Sequence, residues 1–450
     1  MKSIARLIKL DCSNIAQKGQ EHVKRAFVDT IGVCFPGLKE PVYKKTVDYM
    51  NVLGEGPVPI PLGEHRLDCM QAALAWGILS HAIDFDDSCP LLCGHPSVVL
   101  LPTIISLAYS KGLTGKQAWE AYISGYEAIN RMSYSTSLNQ YATGWHTTSS
   151  IGIFGSVIAA ARLLDLTIDQ TEEALGIAAS MACGLQANFG TMAKPMHAGL
   201  ACSNAILAAE MAKRGATSSR DSFDGNFSYF NIYGGEKPEN LPDDIYFADD
   251  GITVKPYPSC GCTTRANDLA LQLYKQGIKT EDIDSIEFTI SALTQNCLRY
   301  VIPHNSVEAK FSLEYCFAIC LTKGAEVIAD FEDNYVKQQI ENEPISSLFP
   351  KMSRKIGEDL GKEVPFKDEY LAVKVLMKDG REISLREDVP KGFPNNPLTE
   401  DEIKTKFMGC ISGYGNKEEQ EQLYAQLRHI DEQDDFAAII DKIVTLANKH

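Results

Sequence analysis

Four short polar stretches interrupt otherwise apolar sequence, and their residue types suit proton transfer on carbon beside a carboxylate. The first is His81-Ala-Ile-Asp84-Phe-Asp86-Asp87-Ser88, followed by Gly94-His95-Pro96-Ser97. Carboxylates this close repel one another and are costly to bury unpaired, so they suit a helix end facing a polar cavity. Asp84-x-Asp86-Asp87 is also a way to hold a hard cation such as magnesium, but nothing nearby suggests a phosphate ligand. The second stretch, Tyr141-Ala-Thr-Gly144-Trp-His146-Thr147-Thr148-Ser149-Ser150, precedes an apolar helix whose free N–H groups and positive end suit a carboxylate. His146 beside that terminus is an acid/base candidate. In the third, Asn188-Phe-Gly190-Thr-Met-Ala-Lys194-Pro195-Met-His197-Ala-Gly199, a partly desolvated Lys194 can act as a base or clamp a carboxylate. The fourth, Lys255-Pro-Tyr-Pro258-Ser-Cys260-Gly-Cys262-Thr-Thr264-Arg265, is a rigid bend. Its Arg265 can fork onto a carboxylate or make an ion pair between domains.

Elements must position these groups. Up to about residue 215, Ala, Leu and Ile recur at helical spacing, predicting helices over Val98–Ser110, Gln117–Met132, Ile151–Leu164 and Ala201–Lys213. Thr114 with Gln117 and Thr167 with Gln170 carry capping-box patterns. Helices apolar around much of their circumference must be buried on several sides, which points to a bundle. From about residue 267 the texture changes. Asp282–Ser291 alternates like a half-buried strand, Leu313–Lys323 is helical, and Leu371–Met377, Asp379-Gly380 and Arg381–Leu385 read as a hairpin. Thr399 with Glu402 restarts helix, and Lys417–Asn448 is helical again. A chain of 450 residues exceeds one ordinary core. The expected fold is mainly α. A large helical-bundle domain is formed from both chain ends, residues 1–266 and 399–450, with a smaller α+β lid domain over 267–398. The two crossings between them suit a cleft that closes.

A net charge of −16 disfavours nucleic acid as a partner, and an anionic substrate then needs a few basic groups converging locally. The N-terminus lacks the apolar run of a signal peptide, and no window approaches ~18 uncharged apolar residues. A cytoplasmic protein that spans no membrane is expected. Its thirteen cysteines are expected to remain thiols, and Cys260-Gly-Cys262 and Cys89-x-x-x-Cys93 match neither zinc nor iron–sulfur spacing. Dinucleotide, P-loop, serine-elbow and zinc-protease motifs do not occur, so nucleotide use, covalent serine chemistry and zinc hydrolysis lack support.

Taken together, the stretches resemble the MmgE/PrpD family over essentially the whole length. The likeness is carried by His81-Ala-Ile-Asp84-Phe-Asp-Asp-Ser88, Gly94-His95-Pro96-Ser97, Gly144-Trp-His146-Thr and Lys194-Pro-Met-His197-Ala-Gly199. Lys255-Pro-Tyr-Pro-Ser-Cys260 and Glu308-Ala-Lys310-Phe-Ser-Leu complete the set, in the family's order. The resemblance implies a homodimer whose site lies between the domains, without metal or organic cofactor, acting on a small di- or tricarboxylate. The active-site positions of the family's cis-aconitate decarboxylase fall on Asp84, His95, His146 and Lys194; Ser88 stands for its Thr, and Cys260 and Thr264 stand for its histidines. In the roles this suggests, Lys194, the helix start near Thr147–Ser149 and Arg265 hold carboxylates, while His95 and His146 exchange protons. Asp84 fixes an imidazole tautomer, Ser88 adds a hydrogen bond, and Tyr141, Thr147, His197 and Cys260 are further substrate contacts. The expected activity is that of a metal-independent lyase, by 2-methylcitrate dehydratase-like dehydration or cis-aconitate-type decarboxylation. An epimerase of an iminodisuccinate-like dicarboxylate, with Tyr141 or Lys194 as second base, is the alternative. A catalytically inactive binding relative is the second.

Overall fold

Capped starts and buried faces account for most of the helices. A computed structural model describes residues 1–134, 136–235, 246–360 and 369–449. In the first of two units, the helices that matter for the site are Gln17–Gly37 (α1), Cys69–Ser80 (α2), Ser97–Lys111 (α3), Gly115–Ser133 (α4), Gly152–Leu163 (α5) and Ala193–Lys213 (α6). The Asp68 carboxylate starts α2 by accepting the N–H groups of Met70 and Gln71. The capping boxes at Thr114, Thr167 and Thr399 all form. Gly112 closes α3 in the left-handed region at φ +62°. This unit takes Met1–Asn188, Met192–Thr253 and Thr399–His450.

The bundle is tight where glycines meet. A Cβ on Gly77 of α2 would lie 2.6 Å from Gly199 Cα of α6, and one on Gly155 of α5 would lie 2.6 Å from the Gly125 carbonyl of α4. The backbones therefore touch, and any side chain there would force them apart. Val98–Leu101 of α3 are buried without remainder, which is what an all-round apolar helix requires.

Three local readings change. Helix α6 begins at Ala193, eight residues before its apolar repeat, so Lys194 and Pro195 occupy its first turn. A proline fits there because the first-turn N–H has no helical partner to lose. Thr147–Ser150 is a single helical turn, separate from α5. The C-terminal stretch breaks into Lys417–Arg428 and Phe436–Ala447, the second capped by Asp435.

The second unit takes Phe189–Thr191 and Val254–Leu398. It contains Thr264–Lys275 (α7), Ile283–Ile290 (β1), Leu313–Lys323 (α8), Met352–Ile356 (β2), Leu371–Met377 (β3) and Glu382–Glu387 (β4). The sheet order is β2-β1-β3-β4. Ile286 of β1 faces Met352 of parallel β2 and Val375 of antiparallel β3; Val375 faces Ile383 across the β3–β4 hairpin. Gly380 turns that hairpin at φ +85°. Phe288 of β1 meets Phe317 of α8 edge-on at 4.9 Å in the core. Strand β2 escaped the sequence reading because Met-Ser-Arg-Lys-Ile is a charged, half-exposed edge strand without apolar alternation. Lys255–Arg265 also join this unit, whereas composition placed the change at residue 267. The bend is tied in by Val254 N–H on the Gly392 carbonyl (3.1 Å) and Cys260 N–H on the Lys310 carbonyl (3.0 Å). No helix among the described residues is long and apolar enough to cross a membrane.

Candidate active site

Helix α2 delivers the first ionisable group, because His81 caps it directly after Ser80 and is buried. The chain then turns at Asp84, whose φ of +58° is left-handed, a conformation Asp adopts more readily than most residues. The Asp84 carboxylate stands 2.8 Å from Lys194 Nζ and 3.5 Å from His95 Nε2. Behind it, Asp86 bridges two imidazoles: His81 Nδ1 at 3.0 Å and His95 Nδ1 at 2.8 Å. His95 Nδ1 also lies 2.9 Å from the Asp87 carbonyl. These partners are acceptors, so each Nδ1 is assigned a proton.

Several contacts hold His95 in place. Cys89 and Gly94 exchange backbone hydrogen bonds of 2.8 and 3.4 Å. His95 N–H donates to Thr148 Oγ1 (3.0 Å), and the Thr147 hydroxyl donates to the Cys93 carbonyl (2.8 Å). A Cβ on Gly94 would sit 2.7 Å from Thr148 Oγ1, so glycine lets these segments meet. Asp87 accepts from the Ser97 hydroxyl and backbone at the start of α3, and the same hydroxyl meets Tyr122 Oη at 2.7 Å. Burial, reinforced by nearby Asp29, pushes the Asp87 carboxyl well above its usual range. Its contacts with Ser97 make it an anchor for the start of α3.

Lys194 and His197 come from the first turns of α6. His146 comes from the turn before Thr147–Ser150, its N–H bonded to the Gly184 carbonyl at 3.0 Å. His146 Nδ1 and His197 Nδ1 are 3.1 Å apart, so one donates and the other accepts. Ring centroids stand 4.6 Å apart for His81–His95, 5.8 Å for His81–His146 and 5.3 Å for His146–His197. His81, His95, His146, His197, Asp84, Asp86 and Lys194 thus form one cluster within the first unit, buried but for the half-buried His95. Burial, aided by the Lys194 charge, drives His146 well below the ordinary imidazole range and His197 down to about 4. Burial also takes His81 to about 4, which Asp86 only partly offsets. For Asp86, burial pulls upward, but His81 and His95 together hold it well below the usual carboxylate range. Burial thus favours the neutral imidazole at His81, His146 and His197.

Of the four sequence stretches, the first three converge here and the fourth lies in the second unit. Ser88 is half-buried, with its backbone paired to Thr253 at 2.9 and 2.8 Å. Tyr141 is buried on the short helix Ser137–Ala142. Thr147 is buried, and its hydroxyl donates to the Cys93 carbonyl in the turn before His95. Arg265 aims Nε and Nη2 at the Asp388 carbonyl, 3.3 Å from each, and lies over the Phe393 ring. Cys260 faces Cys297, with 3.5 Å between sulfurs. The sequence reading gave His81 no role and Asp86 only that of a candidate cation ligand, not a partner of imidazoles. Their signal was a histidine closing an apolar helix, with the acidic turn as its nearest polar neighbour. Among the described residues, two groups have ligand atoms within 4.8 Å of one another, close enough for a cation: His81, Asp84, Asp86 and His95, and Cys260, Cys262 and Cys297.

The MmgE/PrpD N-terminal domain family matches residues 3–241, and the MmgE/PrpD C-terminal domain family matches residues 257–431. The chain belongs to the MmgE/PrpD family. Among MmgE/PrpD relatives, cis-aconitate decarboxylase of Mus musculus is 25% identical over 434 residues, covering 92% of this chain and 87% of its own. The Homo sapiens cis-aconitate decarboxylase is likewise 25% identical, covering 96% and 91%. The 2-methylcitrate dehydratase of Escherichia coli is 26% identical over 341 residues, 69% of each chain. These relatives are lyases. Their likeness to this chain supports an enzyme of the same broad class.

Proposed function

We propose that this chain is a lyase that moves protons on carbon next to a carboxylate of a small di- or tricarboxylic acid. The observation that carries the reading is the meeting of the Lys194 ammonium, the Asp84 carboxylate and His95 Nε2, brought from separate segments into one largely buried cluster. A proton α to a carboxylate is very weakly acidic, and removing it builds enolate-like negative charge. A fixed ammonium in a water-poor site stabilises that charge, and a neutral imidazole accepts the proton. In this reading His95 and His146 supply the imidazoles, with Lys194 as the cation.

Two lyase outcomes fit. In dehydration the C–H pair becomes the new C=C bond as the C–O bond breaks, and the hydroxyl takes a proton and leaves as water. In decarboxylation a C–C bond breaks, CO2 leaves, and the electron pair takes up a proton at carbon. The likeness to 2-methylcitrate dehydratase supports the first and that to cis-aconitate decarboxylase the second. The working form we propose is a cytoplasmic homodimer needing neither metal nor organic cofactor; exhaustive chelation then leaves turnover unchanged. Incubating the protein with citrate, 2-methylcitrate, cis-aconitate and iminodisuccinate, followed by NMR in D2O, tests the reading. Loss of water with the α-proton released to solvent, or loss of CO2 with deuterium entering at carbon, is expected from one of them. Stereochemical exchange alone would reassign the chain as an epimerase. No turnover of any of the four would favour a binding role.

A further inference from the structure

We infer that Cys260, Cys262 and Cys297 form a three-thiolate site for a soft, thiophilic cation of the Cu+ type. The three buried sulfurs lie within 4.8 Å of one another. Two stand on the rigid bend before α7, where Gly261–Thr263 makes a 3-10 turn, and the third ends the short helix Ala292–Cys297. Spacing along the chain hid the group, because 37 residues separate Cys260 from Cys297. Sulfur ligands select soft ions, and a structural zinc site asks for four ligands. Among the described residues no His, Asp or Glu joins this group, so it offers a trigonal set. Metal–sulfur bonds of about 2.3 Å in a trigonal plane put sulfurs roughly 4 Å apart, inside the observed spread.

Charge supports the same assignment. On binding, the three S–H protons leave to solvent and three metal–sulfur bonds form, which leaves net negative charge around a monovalent ion. Buried cations stand close by. Lys255 Cε is 3.9 Å from where a Cβ on Gly261 would lie, and the buried Arg265 is near enough to interact with Cys262.

This site is independent of the lyase reading and is tested by binding alone. The full chain, reduced and kept anaerobic, is titrated with Cu+ against a chromophoric chelator, and X-ray absorption counts the sulfurs around the ion. One tightly held equivalent per chain in a three-sulfur shell is expected. Cys262→Ser and Cys297→Ser should each weaken it by more than the ~100-fold that loss of an outer-shell partner costs, while Cys69→Ser retains it. Circular dichroism identifies the variants that keep the fold, and Cys262→Ala serves if a serine variant does not. No uptake by the wild type, uptake unchanged in a folded Cys262 variant, or preference for Zn2+ over Cu+ would overturn the assignment.

Discussion

Asp86 need not touch a substrate to matter. One carboxylate receives both His81 Nδ1 and His95 Nδ1, and so sets which nitrogen of each ring is left to do chemistry. An amide offers one acceptor where the carboxylate offers two, so Asp86→Asn releases one ring. We expect kcat to fall ~10²-fold with KM nearly unchanged and the pH profile of kcat displaced, as befits a positioning residue. Wild-type kcat would remove Asp86 from that role. Lys194→Ala removes the cation itself and should lower kcat by ~10²–10³-fold with an unaltered circular dichroism spectrum. Asp84, His95, His146 and Lys194 were legible because charge in apolar sequence stands out. The His81–Asp86 pairing was not, since it depends on a left-handed backbone at Asp84 that no residue pattern spells out.

At the scale of elements, the site rests on the crossing of α2 with α6. Helix α2 ends at His81, α6 begins with Lys194 and His197, and Gly77 against Gly199 lets the two axes come close. Gly199→Ala would bring a methyl within 2.4 Å of the Leu74 carbonyl. Overpacking of this kind costs ~1–3 kcal/mol. The expected result is a lower Tm together with lower kcat, since the same shift parts His81 from Lys194. An unchanged Tm would mean the helices separate freely. Helix starts with capping boxes were readable from sequence because the signal is local: Thr114, Thr167 and Thr399 each name their partner three residues on. Strand β2 and the early start of α6 were not, because neighbours distant in sequence decide both.

For the molecule as a whole, the buried imidazoles tie stability to pH. His81 and His197 titrate near 4 when folded, against ~6.5 in an unfolded chain. Between those values the unfolded state binds more protons, so stability rises with pH through that window and is lost as pH falls from about 6.5 toward 4. His146 acts in the same direction. Asp87, raised by burial, acts in the opposite one, with a contribution that fades as pH rises. Glu326, raised by burial to about 8, opposes the imidazoles as Asp87 does, so their contribution is read as a difference: acidification from pH 7 to pH 4 should lower Tm less in His197→Asn than in the wild type. An identical change of Tm in both proteins would contradict the buried, neutral assignment of His197.

The ion pair between Lys194 and Asp84 has a consequence for inhibitors. The ammonium already has a resident counter-ion, and an incoming carboxylate competes with it for the same donors. Asp84→Asn weakens that rival, so an unreactive dicarboxylate such as succinate should bind the variant more tightly by calorimetry even as turnover slows. Affinity and rate would then move in opposite directions.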